Sequence, residues 1–219
     1  MIYDKIVKSG SLCFDIGANI GDKTNYMLSL GAKVIAFEPL SECYGRLQVR
    51  YLGNSNVVVE NIGLSDKKET KELRIGSYHS ISSMSEDFIR EASKERFAGY
   101  SWNNVEHVQV DTLDNMITKH GMPDYCKLDV EGYEYNVLLG LSKSVPCLSI
   151  EFTPELKDNT LKCMEHMLSI NADYVFNYTE QESMEFIFPE YITKDAMWNY
   201  LKNNNDFKVS FGDLFIKLK

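Results

Sequence analysis

The sequence predicts an α/β fold built on a mostly parallel sheet, and three observations carry that prediction. Strand and helix patterns alternate almost from the first residue, as successive βαβ units require. A glycine-rich turn, Gly17-Ala18-Asn19-Ile20-Gly21, joins a short apolar run to a helical one. Toward the end, a final helix followed by a β-hairpin fits a seven-stranded sheet whose last strand inserts antiparallel.

In chain order, Leu12 to Ile16 is a short apolar run, read as the first strand. Asp22 to Leu30 has a helical pattern and stops at Gly31, the residue type that ends helices most often. Lys33 to Phe37 is the second strand. Ser41 is expected to cap a helix running to about Leu52, and Val57 to Ile62 is the third strand. The middle is less regular: Glu69 to Ile75 reads as an extra strand, Gly76 to Ser85 as a Ser-rich loop, Glu86 to Arg96 as mixed helix and Val105 to Val110 as another strand. An irregular insertion over about 76–104 is a candidate substrate lid. The alternation resumes with a helix at Asp111 to Lys119, a strand at Tyr125 to Val130, a helix at Tyr133 to Leu141, a strand at Cys147 to Phe152 and a helix at Asn159 to Ile170. Tyr174 to Tyr178, Glu185 to Phe188 and Phe207 to Lys217 are strand-like, with a helix near Lys194 to Leu201. Alternating Tyr174, Phe176, Tyr178, Phe186 and Phe188 are expected to pack a sheet face. Nothing marks a linker, so one domain spans 1–219.

At 219 residues and 44% hydrophobic composition the chain can bury a single sizeable core. A formal charge of −9 argues against nucleic acid or an anionic membrane as partner. The five cysteines form no C-x-x-C pair, which suits reduced thiols and a cytoplasmic location. No apolar stretch is long enough to span a bilayer. Oligomeric state is open, a homodimer included.

The turn selects a ligand by charge. A dinucleotide fingerprint places a third glycine where pyrophosphate meets the helix N-terminus. Here that position is Asp22, whose charge opposes a phosphate. S-adenosylmethionine (SAM) has no phosphate and carries a sulfonium and an ammonium, which suit the nearby Asp15. Glu38, ending the second strand, is placed to accept from ribose hydroxyls. A plain strand-to-helix turn is the alternative that Glu38 weakens.

Ligands of open α/β sheets bind at the carboxyl ends of the strands. The polar residues there are Asp15, Glu38, Asn61, Asp129 with Glu131, and Glu151. Alternation turns Lys127 and Asp129 to one side of their strand. Glu131, Lys127 and the loop residue His79 are the catalytic candidates, Glu131 and His79 as general bases. Each has a structural alternative: Glu131 and Glu134 suit a helix N-terminus, and loop histidines are commonly solvent-exposed. Asp129, Glu131 and Glu151 could gather around Mg²⁺, but nothing in their spacing demands it and SAM's charge accounts for the acids, so no metal is expected. Tyr100 and Trp102 are candidates for acceptor contact.

The strings FDIGANIG, AFEP, NIGLSD, KLDVEGYE and LSIEF, in this order from about Leu12 to Phe152, resemble the FkbM-type SAM-dependent methyltransferases. The resemblance implies a Rossmann-like seven-stranded methyltransferase fold. It also implies methyl transfer to a hydroxyl of a carbohydrate or natural-product-like acceptor. Carried over, Asp15, Gly17, Asn19 and Gly21 would line the methionine part of SAM, Glu38 would hold the ribose, Asn61 would approach the adenine and Asp129 would sit by the amino-acid end. The rivals are an NAD-dependent sugar oxidoreductase or epimerase, disfavoured by the missing glycine and the lack of a Y-x-x-x-K pair, and a non-catalytic SAM-binding subunit.

Overall fold

Seven strands hydrogen-bond into one twisted sheet in the order β3-β2-β1-β7-β8-β10-β9. The computed structural model describes residues 2–94, 97–181, 183, 185–203 and 211–219. The strands are β1 Leu12–Ile16, β2 Lys33–Phe37, β3 Val57–Glu60, β7 Tyr125–Leu128, β8 Cys147–Phe152, β9 Tyr174–Glu180 and β10 Gly212–Leu218. All neighbours run parallel except β10, which enters between β8 and β9 and is antiparallel to both. A separate three-stranded sheet, β4 Gly63–Leu64, β6 Asn104–Asp111 and β5 Glu69–Ile75, projects beyond the carboxyl ends of the main strands.

Period-two alternation sorts each central strand between two helical layers. Phe14 and Ile16 of β1, Cys126 and Leu128 of β7 and Leu148 and Ile150 of β8 join one core. That core also takes α5 Leu113–His120, α6 Glu134–Leu139, α7 Lys157–Ile170 and α8 Lys194–Asn203. Cys13, Val34, Tyr125 and Phe215 face the other way, against α1 Ile2–Ile6 and Met27 of α2 Asp22–Ser29. The helix α3 Ser41–Arg50 covers Ala36 with Leu47, and Tyr51 completes that packing. The expected core aromatics Tyr174, Phe176 and Tyr178 are buried, while Phe186 packs edge-on against Phe215.

Several boundaries differ from the sequence expectation, each for a tertiary reason. Ser41 does not cap its helix: Leu40 is the cap position, and the Ser41 hydroxyl donates to Glu106 of β6. α5 begins at Leu113, not Asp111, and Thr112 caps it, its side chain accepting from the Asn115 N–H at 3.2 Å. Glu185 to Phe188 is bent rather than a strand, because the Asn177 side chain takes both the Phe188 N–H (3.3 Å) and its carbonyl (2.9 Å), where a partner strand would bond. The helix α8 separates β9 from β10, so these paired strands are not joined by a hairpin turn. Phe207 and Arg96, expected at element ends, lie outside the described residues. The insertion is less irregular than its sequence: a 3₁₀ turn His79–Ile81 and the helix α4 Glu86–Ala92 share a small core of Ile81, Phe88, Ala92 and Trp102. The Trp102 indole donates to the Ile81 carbonyl at 2.7 Å. No helix among the described residues is long and apolar enough to cross a membrane.

Candidate functional site

Two loops meet at the carboxyl edge of the sheet, one after β1 and one after β7. Gly17 sits in the left-handed region at φ +81°, and a Cβ placed on it would lie 1.9 Å from the Asp129 carbonyl oxygen. Only glycine permits that approach. Asn19, at φ +52°, continues the left-handed turn, and its N–H donates to Glu38 Oε2 at 2.7 Å. The other oxygen of Glu38 accepts from Leu40 N at 2.8 Å. The acid at the end of β2 thus ties the glycine turn to the start of α3, and each oxygen keeps a lone pair for a further donor. Burial pushes the Glu38 carboxyl up to about 7, against the pull of its two backbone N–H partners.

The loop after β7 is held with equal care. Glu131 is left-handed at φ +51° and Gly132 at φ +84°. The Ser83 hydroxyl donates to the Glu131 carbonyl at 2.7 Å. Glu134 Oε1 accepts from Val130 N and Gly132 N, both at 3.2 Å. Burial raises the Glu134 carboxyl to about 7. Glu134 is therefore a brace for the loop rather than a charge placed only for the helix N-terminus, and it was missed from sequence. Glu134→Ala is expected to destabilise the fold by about 1–3 kcal/mol, the cost of leaving buried donors unpaired, and to weaken turnover more than Glu134→Gln. Thermal melts of the two variants measure the first; a melting temperature for Glu134→Ala equal to wild type would refute the bracing role.

Behind the edge runs a buried charged row on the α1 side of the sheet. Asp15 of β1 is register partner to Lys127 of β7, and Asp213 of β10 to Glu151 of β8. Lys127 is enclosed and pairs with Asp129 Oδ2 at 2.5 Å. Its burial favours the neutral amine, but Asp129, Asp213 and Asp15 outweigh this and hold the ammonium above its ordinary range. Asp15 accepts from the Thr24 hydroxyl at 2.5 Å. Burial raises the carboxyls of both Asp15 and Asp213, with Lys127 opposing. Glu151 is raised furthest, by burial and then by the neighbouring acids Glu131, Asp129 and Glu134. Asp213 also escaped the sequence reading, although an acid inside the apolar run of β10 was a readable signal.

These elements frame two adjoining cavities. The first, about 150 Å³, is lined by Gly17, Asn19, Glu38, His79, Asp129 and Glu131 among others, and roofed by Ser82 to Met84 of the insertion. The second, about 380 Å³, lies between the sheet edge and α1 and includes Tyr3, Lys23, Lys127, Glu151, Thr179 and Asp213. Ser80, Asp129 and Glu131 line both. Six of the ten sequence candidates thus line the first cavity and Lys127 lines the second. Asp15, Gly21 and Asn61 line neither. Gly21 is pinned by Tyr51, whose hydroxyl donates to its carbonyl at 2.7 Å. The Asn61 amide donates to the Glu38 and Pro39 carbonyls at 3.0 and 3.1 Å, so its side chain shapes the turn after β2. Trp102 is buried in the insertion and Tyr100 lies tilted beside Tyr78, and neither lines the two cavities. Asp22 at the start of α2 bonds Arg50 at 3.0 Å.

The residues fit an adenosine-type sulfonium ligand. The glycine turn lining the first cavity, the buried acceptor pair of Glu38 and carboxylates facing the junction match a hydroxyl-bearing cation.

A family model described as the methyltransferase FkbM domain matches residues 15–194. Among solved structures, a precorrin methyltransferase from Geobacter metallireducens superposes with a TM-score of 0.52 at 9% identity, covering 100% of this chain and 85% of that one. An rRNA methylase from Streptococcus thermophilus gives a TM-score of 0.47 at 12% identity over 99% of this chain and 92% of its own. No curated protein matches the sequence.

Proposed function

The chain belongs to the FkbM methyltransferase domain family and has the Rossmann-like methyltransferase fold; from that premise we propose that it is a SAM-dependent O-methyltransferase acting on a hydroxyl of a carbohydrate or similarly small polar acceptor. The observation that carries the acceptor assignment is the second cavity: its wall sets Lys23, Lys127, Glu151, Thr179 and Asp213 beside apolar side chains, and it meets the cofactor cavity at Asp129 and Glu131.

SAM, once bound, supplies a methyl group activated by positively charged sulfur. The chain's own residues do the rest. Glu38 offers its remaining lone pairs to ribose hydroxyls, Gly17 lets the ligand approach backbone, and Asp129, fixed by Lys127, presents negative charge to the ligand's cationic end. Leu40, Leu73 and Met84 give the first cavity an apolar wall suited to a purine. Glu131 is the residue placed to take the acceptor proton, because it alone of the two base candidates faces both cavities. Alignment of acceptor with methyl contributes the larger part of the acceleration. Lys127 serves as a positioning residue, since an ammonium held charged by three carboxylates is no base near neutrality.

The test is incubation with methyl-labelled SAM and a panel of sugars and glycosides, with products identified by mass and linkage. Label in an ether methyl supports the reading; label on nitrogen or carbon, or turnover of NAD with the same panel, rejects it. A pH titration checks the cofactor half. Ribose hydroxyls donate best to an ionised Glu38, so S-adenosylhomocysteine (SAH) should bind more tightly as the pH rises through about 7. Without ligand the same shift acts on stability in the opposite sense. Folded Glu38 and Glu134 hold protons between 4.5 and about 7 that the unfolded chain has released. The stability they contribute at low pH is lost as the pH rises through that window. The apo melting temperature should therefore fall from about pH 5 to about pH 8, and Glu38→Gln should flatten both profiles.

A further inference from the structure

We propose that Asp129, Glu131 and Glu151 form a site for one hard divalent cation, Mg²⁺, Mn²⁺ or Ca²⁺, inside the second cavity. One carboxylate oxygen from each residue lies within 4.8 Å of the others. Oxygens on opposite sides of such a cation are separated by about 4–5 Å, twice the metal–oxygen distance, so the three donors are spaced on the scale of one shared ion.

An acidic cluster alone would say little; Glu151 adds the second observation. Its carboxyl is enclosed by protein apart from the cavity mouth, and its Oε2 exposes no surface and has no hydrogen-bond partner. Four other acids of the site are satisfied: Asp15 by Thr24, Glu38 by Asn19 and Leu40, Glu134 by two backbone N–H groups and Asp129 by Lys127. A buried carboxylate is normally paired or ligates a metal. Among the described residues, Glu151 carries the one enclosed carboxylate oxygen without a partner, and it lies against two more carboxylates.

The donors are also held in place before any ion arrives. Glu151 is fixed within β8 opposite Asp213, and Asp129 follows β7 by one residue. The backbone of Glu131 is set by its left-handed φ and by Ser83. All three donors are oxygens, and no histidine or cysteine among the described residues lines this cavity, a donor set that favours hard cations over zinc or copper. At about 380 Å³ the cavity has room for waters and an acceptor oxygen at the remaining coordination positions.

The use of the cation rests on the methyl-transfer reading above, although its binding does not. An acceptor hydroxyl beside it ionises more readily. The proton passes to a carboxylate, the oxygen lone pair forms the C–O bond, and the electrons of the broken C–S bond return to sulfur as the neutral thioether of SAH.

Titration of the full chain with Mn²⁺, followed by loss of the free-ion electron paramagnetic resonance signal, tests the site with and without SAH. One saturable Mn²⁺ per chain, displaced by Mg²⁺, is expected. Glu151→Gln should weaken it by about tenfold or more, and Glu72→Gln, which alters an exposed acid of β5, should not. Circular dichroism confirms folding, and Glu151→Asp, which withdraws the carboxylate, replaces Glu151→Gln should the latter unfold. Absence of saturable Mn²⁺ binding, or equal affinity in wild type and the Glu151 variant, overturns the proposal. SAH binding is read separately: SAH bound without Mn²⁺ sinks the cation site alone, and Mn²⁺ bound without SAH sinks the methyl-transfer reading alone.

Discussion

Gly17→Ala is expected to abolish detectable SAH binding, with a loss of at least about a hundredfold in affinity, and to destabilise the chain by roughly 3 kcal/mol or more. Two costs combine. A non-glycine residue at φ +81° is strained by about 1–2 kcal/mol, and the new methyl would meet the Asp129 carbonyl at 1.9 Å, so the β1 and β7 loops must part. For a chain of this length the stability loss corresponds to a fall of roughly 6–12 °C in melting temperature. Gly53→Ala is the matched control: its φ is +77° but nothing lies within 4 Å of the added carbon. It should show the backbone strain alone and bind SAH normally. Isothermal titration of both variants decides the matter; wild-type affinity in Gly17→Ala would mean the two loops do not form the ligand cradle.

The second large effect is on turnover. Glu131→Gln is expected to lower kcat by about 10²–10⁴-fold, with SAH affinity changed only a few-fold, because the substitution keeps the side-chain shape and the backbone clamp from Ser83. His79→Ala should behave in the reverse way. His79 lines only the first cavity, so its removal is expected to raise the KM for SAM while leaving kcat within a few-fold. If instead His79→Ala carries the loss in kcat and Glu131→Gln keeps full activity, the roles assigned to the two residues are exchanged.

What the sequence disclosed follows from the range of the forces involved. The β1 turn was legible because local backbone chemistry writes it: Gly17, Asn19 and Gly21 take left-handed angles within five residues. The central strands were legible because burial on both faces leaves continuous apolar runs. The antiparallel last strand was anticipated from a final helix and β-hairpin, and it is present, although α8 rather than a hairpin turn leads into it. Ser41 misled because its partner, Glu106, is 65 positions away. Asn177 redirected Glu185 to Phe188 by a side-chain pairing that no periodicity encodes. Within the site, Glu38, Asp129 and Glu131 stood out as acids ending strands. The brace Glu134 and the clamp Ser83 did not, since each looks like ordinary helix-start or loop chemistry until the chain is folded. Asn61 and Trp102 carried the right chemistry for ligand contact, yet both are occupied in holding backbone.

The position of β10 imposes an order on the birth of the molecule. β8 and β9 are not backbone-paired with each other: the strand between them comes after both in the sequence and bonds both along its length. During synthesis on the ribosome, β9 must therefore wait beside an open lane, its edge unzipped, until the segment from Gly212 emerges. That late segment also brings Asp213 to Lys127, so the sheet closes and the charged row behind the cavities is completed in a single event. A nascent chain halted before Gly212 should expose the flank of β8 to chaperones and proteases while the glycine turn of β1 is already formed.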